Sequence, residues 1–223
     1  MSLKSLIDFD KKVLKKSNYF LIGIDEVGRG ALAGPVIACA FAWKNNKFPR
    51  IYKPIENLND SKQLTKDERR SIYSELINCG HYGLGYASVE EIDKFNVLNA
   101  TYLAMKRAFE TLIETTNIHL QTFTLIDGNK FNPYINSLQI PVVKGDAQSS
   151  LIAAASVIAK VTRDNLMTEY STKKQYCNYG FNENVGYGTL KHRTAIRNYG
   201  PTNIHRKLFI RKSLSNSRLT NTH

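Results

Sequence analysis

The spacing of apolar residues along the chain predicts strands in some segments and helices in others. Residues 3–16 have the three-to-four spacing of a short amphipathic helix. Further along, short apolar runs bounded by turn residues are typical of buried strands. These runs occupy residues 20–25, 35–43, 81–88, 122–126 and 140–143.

Helix starts are indicated by capping boxes, in which a Ser or Thr and a Glu three residues later bond each other's backbone. Thr65 with Glu68 and Ser88 with Glu91 have this spacing. An alanine-rich stretch and a stretch closed by Gly200 add two more helical patterns. The predicted helices are residues 65–78, 88–117, 147–170 and 189–199.

This order of elements predicts a mixed central sheet flanked by helices, in a three-layer α/β domain. No internal repeat and no linker rich in Pro, Gly or Ser divides the sequence, so we expect one domain over residues 1–223. Its expected parts are an N-terminal helix (1–18), a core (about 19–170), a helical C-terminal extension (about 171–212) and a frayed tail (213–223).

The side chains carry a large excess of positive charge. There are 31 Lys and Arg against 19 Asp and Glu, a formal net charge of +12. This balance favours a nucleic acid as partner, although acidic lipid or plain solubility would also fit it. The three cysteines form no CxxC pair, and no stretch approaches the ~20 apolar residues of a membrane helix. We therefore expect a cytoplasmic chain with reduced thiols, not bound to a membrane, and a monomer by default.

Carboxylates stand where three of the predicted strands end, each time beside a glycine. They are Asp25 with Glu26, Asp127, and Asp146. Carboxylates at several strand ends can converge at one edge of a sheet although they are far apart in sequence. Four such charges would repel one another unless cations lay between them, and hard divalent ions prefer oxygen ligands. The four acids together predict a metal site.

Two alternatives stay open on the residues alone. Adjacent strand residues point to opposite faces, so Asp25 and Glu26 share a site only if the regular pleat stops there, which the following glycines would allow. Any one of the acids could also be a turn former or a helix cap. This applies most to Asp146, because a predicted helix follows it directly.

The stretch GRGALA (28–33) also fits GxGxxA, the fingerprint of dinucleotide-binding folds. In those folds the motif opens a helix, whose N-terminus binds the pyrophosphate. Here Pro35 and a β-prone run follow, and two acids precede the glycines, where they would repel phosphate. The sequence context therefore argues against a dinucleotide site.

Several blocks of the sequence resemble the ribonuclease HII family, and they occur in the family's order. They are DEVGRGALAGPV (25–36), DSKQL (60–64), the Asp127-Gly128 strand end, KGDAQSSLIAAASVIAKVTRD (144–164) and NVGYGTLKHRTAIRNYGPTNIHRKLF (184–209). The resemblance spans most of the chain and implies a ribonuclease H-like fold with a small helical C-terminal extension. The extra N-terminal substrate-binding domain of the related ribonuclease HIII is not expected, because only 24 residues precede Asp25.

The resemblance implies an endonuclease that hydrolyses the RNA strand of RNA–DNA hybrids. It would also cut 5′ to single ribonucleotides embedded in duplex DNA, as ribonucleotide excision repair requires. Two Mg²⁺ or Mn²⁺ ions would support the reaction, which leaves 5′-phosphate and 3′-hydroxyl ends. The residues implied as both catalytic and metal-binding are Asp25, Glu26, Asp127 and Asp146.

The resemblance also implies which residues bind the substrate: Gly28, Arg29, Gly30, Ser61, Lys62 and Tyr187. The 2′-hydroxyl distinguishes RNA from DNA, and the backbone of the glycine-rich stretch would read it at close range. Tyr187 would stack on the sugar of the next nucleotide. Ser61 and Lys62 would contact phosphate, although a simple turn at Ser61 would also explain that residue.

Other polar residues of the C-terminal half have weaker signals. Asp164 lies in a predicted helix and is expected to pair with a neighbouring basic side chain rather than to bind metal. His192 and His205 are expected to pack or to contact phosphate rather than to transfer protons. The basic residues expected on the surface that binds the nucleic-acid backbone are Arg193, Arg197, Arg206 and Lys207.

Two other classes of protein compete with this interpretation. A junction-resolving or DNA-cutting nuclease of the same fold would cut an all-DNA duplex. A non-catalytic module that binds hybrids would lack one of the four carboxylates, and none is missing. A replication clamp is a weaker candidate as partner, because the C-terminal tail contains no clear docking peptide.

Overall fold

The computed structural model describes residues 2–15, 19–44, 47–48, 53–60, 65–116 and 121–215. The helices are α1 (Leu3–Leu14), α2 (Lys66–Cys79), α3 (Val89–Thr116), α4 (Ser150–Thr172), α5 (Phe181–Asn184), α6 (Leu190–Tyr199) and α7 (Lys207–Ser215). The strands are β1 (Phe20–Val27), β2 (Val36–Trp43), β3 (Gly80–Ala87), β4 (Thr122–Asp127) and β5 (Leu138–Val142). Short 3₁₀ helices cover Lys53–Asp60, Gly145–Ala147 and Cys177–Tyr179.

Within these residues the strands form one mixed sheet of five, in the order β3-β2-β1-β4-β5. The central strand β1 pairs antiparallel with β2 and parallel with β4, which in turn pairs parallel with β5. Every residue of β2 is buried, as its continuous run of apolar residues predicts for a strand covered on both faces. The predicted mixed α/β sheet is confirmed.

The predicted element types are confirmed, while several boundaries differ. The predicted capping boxes at Thr65 and Ser88 form reciprocal hydrogen bonds with Glu68 and Glu91. α3 is not regular throughout, because Asn96 has φ 66° and ψ 164°. Its side-chain oxygen accepts hydrogen bonds from the next turn, which restarts the helix as an N-cap does.

The N-terminus of α4 is capped by an acid that lies 140 residues earlier in the chain. Asp10 on α1 is fully buried and accepts hydrogen bonds from Ser150 N (2.8 Å) and Ser150 Oγ (2.5 Å), and from Leu151 N (3.2 Å). Burial raises the pKa of Asp10, and these hydrogen bonds offset part of the rise, so that the pKa is about 6. α4 therefore begins at Ser150 and not at 147, the position that local sequence predicted.

Contacts divide the chain into two compact units, each made of separate segments. Unit 1 comprises Met1–Val27, Ile37–Tyr86 and Tyr102–Val161, and unit 2 comprises Gly28–Val36, Ala87–Thr101 and Thr162–His223. The core of unit 1 includes Leu6, Phe41, Trp43, Leu125 and Leu151. The core of unit 2 includes Leu32, Met167, Tyr179, Phe181 and Ile196.

The single domain predicted over residues 1–223 stays a prediction, as do its internal boundaries. The helical part of the predicted extension continues in α7 to Ser215, and the rest of the predicted tail (216–223) lies outside the described residues. Among the helices described, none is both long enough and apolar enough to cross a membrane.

Candidate active site

A cavity of about 320 Å³ in unit 1 is lined by all four of the predicted acids. Asp25 and Glu26 lie near the end of β1, and Asp127 is the last residue of β4. Asp146 lies in the 3₁₀ turn between β5 and α4. The acids therefore come from three neighbouring strand ends and share one cavity, as the sequence predicted.

The parallel pairing of the strands explains this convergence. Ile24 is in register with Ile126, and Asp127 is in register with Val142, so the three strands end at the same edge. A hydrogen bond from Gly145 N to Asp127 Oδ1 (2.6 Å) then holds the turn that carries Asp146 against the end of β4.

β1 does not stop at Asp25, contrary to the prediction. It pairs with β2 through Val27, with Asp25 opposite Cys39 and Glu26 opposite Ala38. Asp25 Oδ1 instead bends back to accept a hydrogen bond from Glu26 N (2.7 Å). Both carboxylates line the cavity although the pairing continues, so a break in the strand is not needed for the two acids to share it.

Asp25 is in the least favourable electrostatic position of the group, with 6% of its surface exposed. Burial raises its pKa well above the usual value, and the negative charges of Glu26 and Asp127 raise it further. Hydrogen bonds from the Ser156 hydroxyl and from Glu26 N offset part of this effect. A divalent cation would remove the repulsion that the acids impose on one another.

The alternative role of Asp146 as a cap of α4 finds no support in the geometry. The free N–H groups of Ser150 and Leu151 donate to Asp10, and that of Ile152 donates to Ser149 Oγ (3.2 Å). Asp146 precedes the helix by several residues and lines the cavity.

The donor set fits a hard divalent ion in its chemistry, since every predicted ligand is a carboxylate and one cavity contains them all. Across the described part of the chain, however, no three His, Cys, Asp or Glu side chains are grouped so closely that they could hold an ion as they stand. The carboxylates would have to draw together around a cation. Metal binding by these four residues stays a prediction.

Three further cavity residues were missed by sequence reasoning. Arg69 comes from α2, and Ser156 and Lys160 come from one face of α4, four residues apart. Each belongs to a helix that the sequence predicted, but a pattern of apolar residues does not show which polar residue of a helix faces a cavity. Arg69 and Lys160 place positive charge beside the carboxylates, which suits a site for a phosphodiester.

The predicted substrate residues of unit 2 lie in two segments that are bonded to each other. We call residues 28–35 the glycine segment and residues 185–188 the tyrosine turn. Leu32 N and Ala33 N donate to Gly186 O at 2.8 and 3.2 Å. In the glycine segment Gly28 is buried, while Arg29 and Gly30 are exposed; Tyr187 in the tyrosine turn is half-buried. Ser61 and Lys62 lie outside the described residues.

The two histidines of unit 2 form a buried pair, with His192 fully buried and His205 2% exposed. Their Nε2 atoms are 3.1 Å apart. Because Thr202 N donates to His205 Nδ1 (3.0 Å), that nitrogen must be an acceptor and His205 carries its proton on Nε2. His192 then accepts at Nε2 and donates from Nδ1 to Tyr187 O (2.9 Å). The predicted packing role therefore fits both residues, and neither reaches solvent.

Arg206 does not lie on a surface that could bind nucleic acid, so that prediction is wrong. Its side chain is fully buried and donates to the backbone oxygens of Gly34 and Arg29. Arg193 is half-buried and donates to Gly188 O, whereas Arg197 and Lys207 are exposed. A run of basic residues near a chain end does not show which of them the fold buries.

Comparison with known proteins gives one consistent result. The family described as ribonuclease HII matches residues 22–212. The ribonuclease HII of Fusobacterium nucleatum is 45% identical over 87% of this chain and 87% of its own length. That of Clostridioides difficile is 41% identical over 95% of this chain and 78% of its own length. The chain belongs to the ribonuclease HII family.

Solved structures agree with this assignment. The ribonuclease H2 of Pyrococcus horikoshii has a TM-score of 0.66 and 26% identity, over 89% of this chain and 98% of that one. The predicted ribonuclease H-like α/β fold is confirmed. As a member of the ribonuclease HII family, the chain is a metal-dependent endoribonuclease, and its four predicted acids line one cavity.

Proposed function

We propose that this ribonuclease HII hydrolyses the RNA strand of RNA–DNA hybrids and cuts 5′ to single ribonucleotides embedded in duplex DNA. The products would be 5′-phosphate and 3′-hydroxyl ends. The observation that supports the proposal most is the cavity where Asp25, Glu26, Asp127 and Asp146 meet, beside positive charge from helices. Family membership supports the reaction type.

In this proposal the four carboxylates would hold two divalent ions, Mg²⁺ or Mn²⁺, and Asp25 would be the ligand on which the site depends most. When bound, such ions supply a nucleophilic water and neutralise charge on the phosphate and the leaving oxygen. Asp25 suits this role because it is the most buried of the four and is close enough to Glu26 and Asp127 for their charges to raise its pKa.

The chain's own residues have separate tasks around that centre. The Ser156 hydroxyl, which donates to Asp25, keeps that carboxylate oriented toward the cavity. Lys160 and Arg69 would bind phosphate oxygens, since both line the cavity and both have basic side chains. Gly145 N keeps Asp127 in place through its hydrogen bond to Oδ1.

Recognition of the ribose is assigned to unit 2. The backbone of Gly28, Arg29 and Gly30 would contact the 2′-hydroxyl, and the ring of Tyr187 would stack on the following sugar. The exposed position of Arg29 and Gly30 supports the first part, and the partial exposure of Tyr187 supports the second. Ser61 and Lys62 are proposed as phosphate contacts on sequence alone. A monomeric state, a cytoplasmic location and a replication clamp as partner stay predictions.

The test is a labelled DNA duplex that contains one ribonucleotide, incubated with and without divalent metal. We expect a single cut 5′ to the ribonucleotide only when Mg²⁺ or Mn²⁺ is present, and no cut in a matched all-DNA duplex. Comparing the two metals also shows which supports faster turnover. Cleavage of the all-DNA control, or cleavage restricted to long RNA tracts, would refute the proposal.

A further inference from the structure

A buried arginine in unit 2 bonds to both segments that the proposed function assigns to ribose recognition. Arg163 on α4 is fully buried. In the glycine segment, its Nε donates to Pro35 O (3.1 Å) and its Nη2 donates to Ala33 O (3.0 Å). In the tyrosine turn, its Nη1 donates to Val185 O (2.7 Å). One rigid guanidinium group thus satisfies carbonyls of both segments.

Arg163 also contacts Tyr187 itself. The central carbon of the guanidinium lies 5.4 Å from the centroid of the Tyr187 ring, within the range of a cation–π interaction. The turn is also held by His192, whose Nδ1 donates to Tyr187 O. Arg163 therefore contacts the ring, and His192 bonds to the backbone of its turn.

The glycine segment is shaped around the same side chain. Gly28 has φ +92°, and a Cβ at this position would collide with Arg163 Nε. Gly186 has φ +84°, and a Cβ there would come within 2.5 Å of Ala33 O. Glycine is required at both positions by backbone conformation and by lack of space, so neither segment can change shape without disturbing Arg163 or its partners.

A second buried arginine provides a natural comparison. Arg206 donates to Gly34 O from Nε (2.9 Å) and Nη2 (2.7 Å), and to Arg29 O from Nη1 (2.9 Å). All three of these bonds go to the glycine segment. Arg206 resembles Arg163 in burial and chemistry, but its guanidinium hydrogen bonds reach one segment instead of two.

We propose that Arg163 is a positioning residue that couples the glycine segment to the tyrosine turn, so that 2′-hydroxyl recognition and sugar stacking depend on each other. The inference rests on the proposed function for the role of the two segments. Lysine cannot replace this residue, because an ammonium group lacks the planar fork that bonds three carbonyls at once. Carbonyls left buried without a donor would drive both segments to rearrange.

The first test measures backbone amide NMR spectra without substrate. We expect Arg163→Lys to shift the signals of both segments, including those of Gly30 and Gly188. Arg206→Lys, the matched control, should shift the glycine segment and leave the tyrosine turn close to wild type. Equal effects of the two variants on both segments would overturn the proposal.

A second variant covers the case in which Arg163→Lys does not fold. Tyr187→Leu removes a half-buried ring and keeps all three Arg163 hydrogen bonds to carbonyls. If Arg163 transmits the change, signals of Ala33 and Val36 move as well as those of the turn. A response confined to 185–188 would contradict the coupling.

The second test is a double-mutant cycle on the duplex that contains one ribonucleotide. Tyr187→Leu should lower kcat more than it raises KM, since misplacement affects the transition state most. In the Arg163→Lys background, the factor by which Tyr187→Leu lowers kcat should be at least about five-fold smaller than in the wild type. In the Arg206→Lys background, that factor should equal the wild-type factor within about two-fold. Additivity in both backgrounds overturns the coupling. If the wild type does not cut this duplex, the proposed function fails, and the spectra still decide the coupling.

Discussion

The two compact units treat buried charge in opposite ways. In unit 1, four carboxylates line one cavity, and burial together with neighbouring negative charges raises the pKa of Asp25. In unit 2, the buried arginines Arg163 and Arg206 donate to backbone carbonyls, and burial lowers the pKa of both His192 and His205, which favours their neutral forms. Unit 1 brings four carboxylates together beside Arg69 and Lys160, whereas unit 2 distributes positive charge over neutral acceptors.

This difference indicates a division of labour. A cluster of like charges costs stability in the folded protein and is retained where chemistry requires it, as at a metal-dependent site. Buried guanidinium groups bonded to carbonyls fix the backbone and have few N–H donors left for a substrate. Burial, followed by the charge of Arg163, lowers the pKa of Arg206 to about 9, so that it is still protonated at neutral pH. Unit 1 is therefore suited to catalysis and unit 2 to positioning.

The largest effect is expected in unit 1. Asp127→Asn keeps the Oδ1 atom that accepts from Gly145 N, so the variant should fold and still bind an RNA–DNA hybrid. Its cleavage rate should fall by about a thousand-fold or more, because one ligand of a cooperating group is lost. Single-turnover cleavage measures the rate, and fluorescence anisotropy measures hybrid binding by the folded variant. Calorimetry with Mn²⁺ should show weaker binding, because one ligand is lost.

The matched control is Glu114→Gln, which changes an exposed acid on α3 in the same unit. It should cut at the wild-type rate and bind Mn²⁺ normally. Near-normal cleavage by Asp127→Asn would remove Asp127 from the catalytic group and weaken the contrast between the units.

The next effect concerns unit 2 and is a loss of stability at low pH. Burial and, to a smaller extent, the nearby His192 together lower the pKa of His205 from 6.5 to about 4. Between these values the unfolded chain binds the proton and the folded chain does not, so the free energy of unfolding falls as the pH falls. One pKa unit corresponds to about 1.4 kcal/mol, which allows a loss of up to about 3.5 kcal/mol relative to His205→Asn.

Urea denaturation of both proteins between pH 7 and pH 4 measures this loss. His81→Asn is the comparison, because His81 on β3 is only half-buried. Its removal should change the slope of the free energy of unfolding against pH less than His205→Asn does. If the free energy of unfolding depended on pH in the same way in the wild type and in His205→Asn, the His192–His205 pair would not be buried in its neutral form.

The smallest expected effect is a change of stability with pH that comes from Asp10 in unit 1. Its direction is opposite to that expected for His205. Burial raises the pKa of Asp10 from 3.8 to about 6, so between these values the folded chain binds the proton and the unfolded chain does not. The free energy of unfolding of the wild type should therefore fall as the pH rises through this window. Relative to Asp10→Asn the loss should be up to about 3 kcal/mol, complete above pH 6. The same denaturation series, carried out on the wild type and Asp10→Asn, tests this prediction. If the wild type gained stability relative to Asp10→Asn as the pH rose, Asp10 would not be a buried, protonated cap.

Local sequence predicted much of the fold and most of the candidate site. The capping boxes at Thr65 and Ser88 form because all of their atoms lie within one helical turn. The end of β1 was placed too early, because pairing with β2 continues through Val27, and a partner strand is not visible from a single segment. The restart of α3 at Asn96 was also missed, since its apolar spacing continues across the break.

Short-range patterns in the sequence are enough to identify the acids at strand ends, the mixed α/β arrangement and the family to which the chain belongs. These patterns are present in the linear order of residues. Other features are visible only in the folded chain: Asp10 caps α4, Lys160 and Arg69 line the cavity with the carboxylates, and Arg163 and Arg206 are buried. Each of these depends on contacts between distant segments, and the identity of a polar residue does not reveal which distant partner will satisfy its hydrogen bonds when water is excluded.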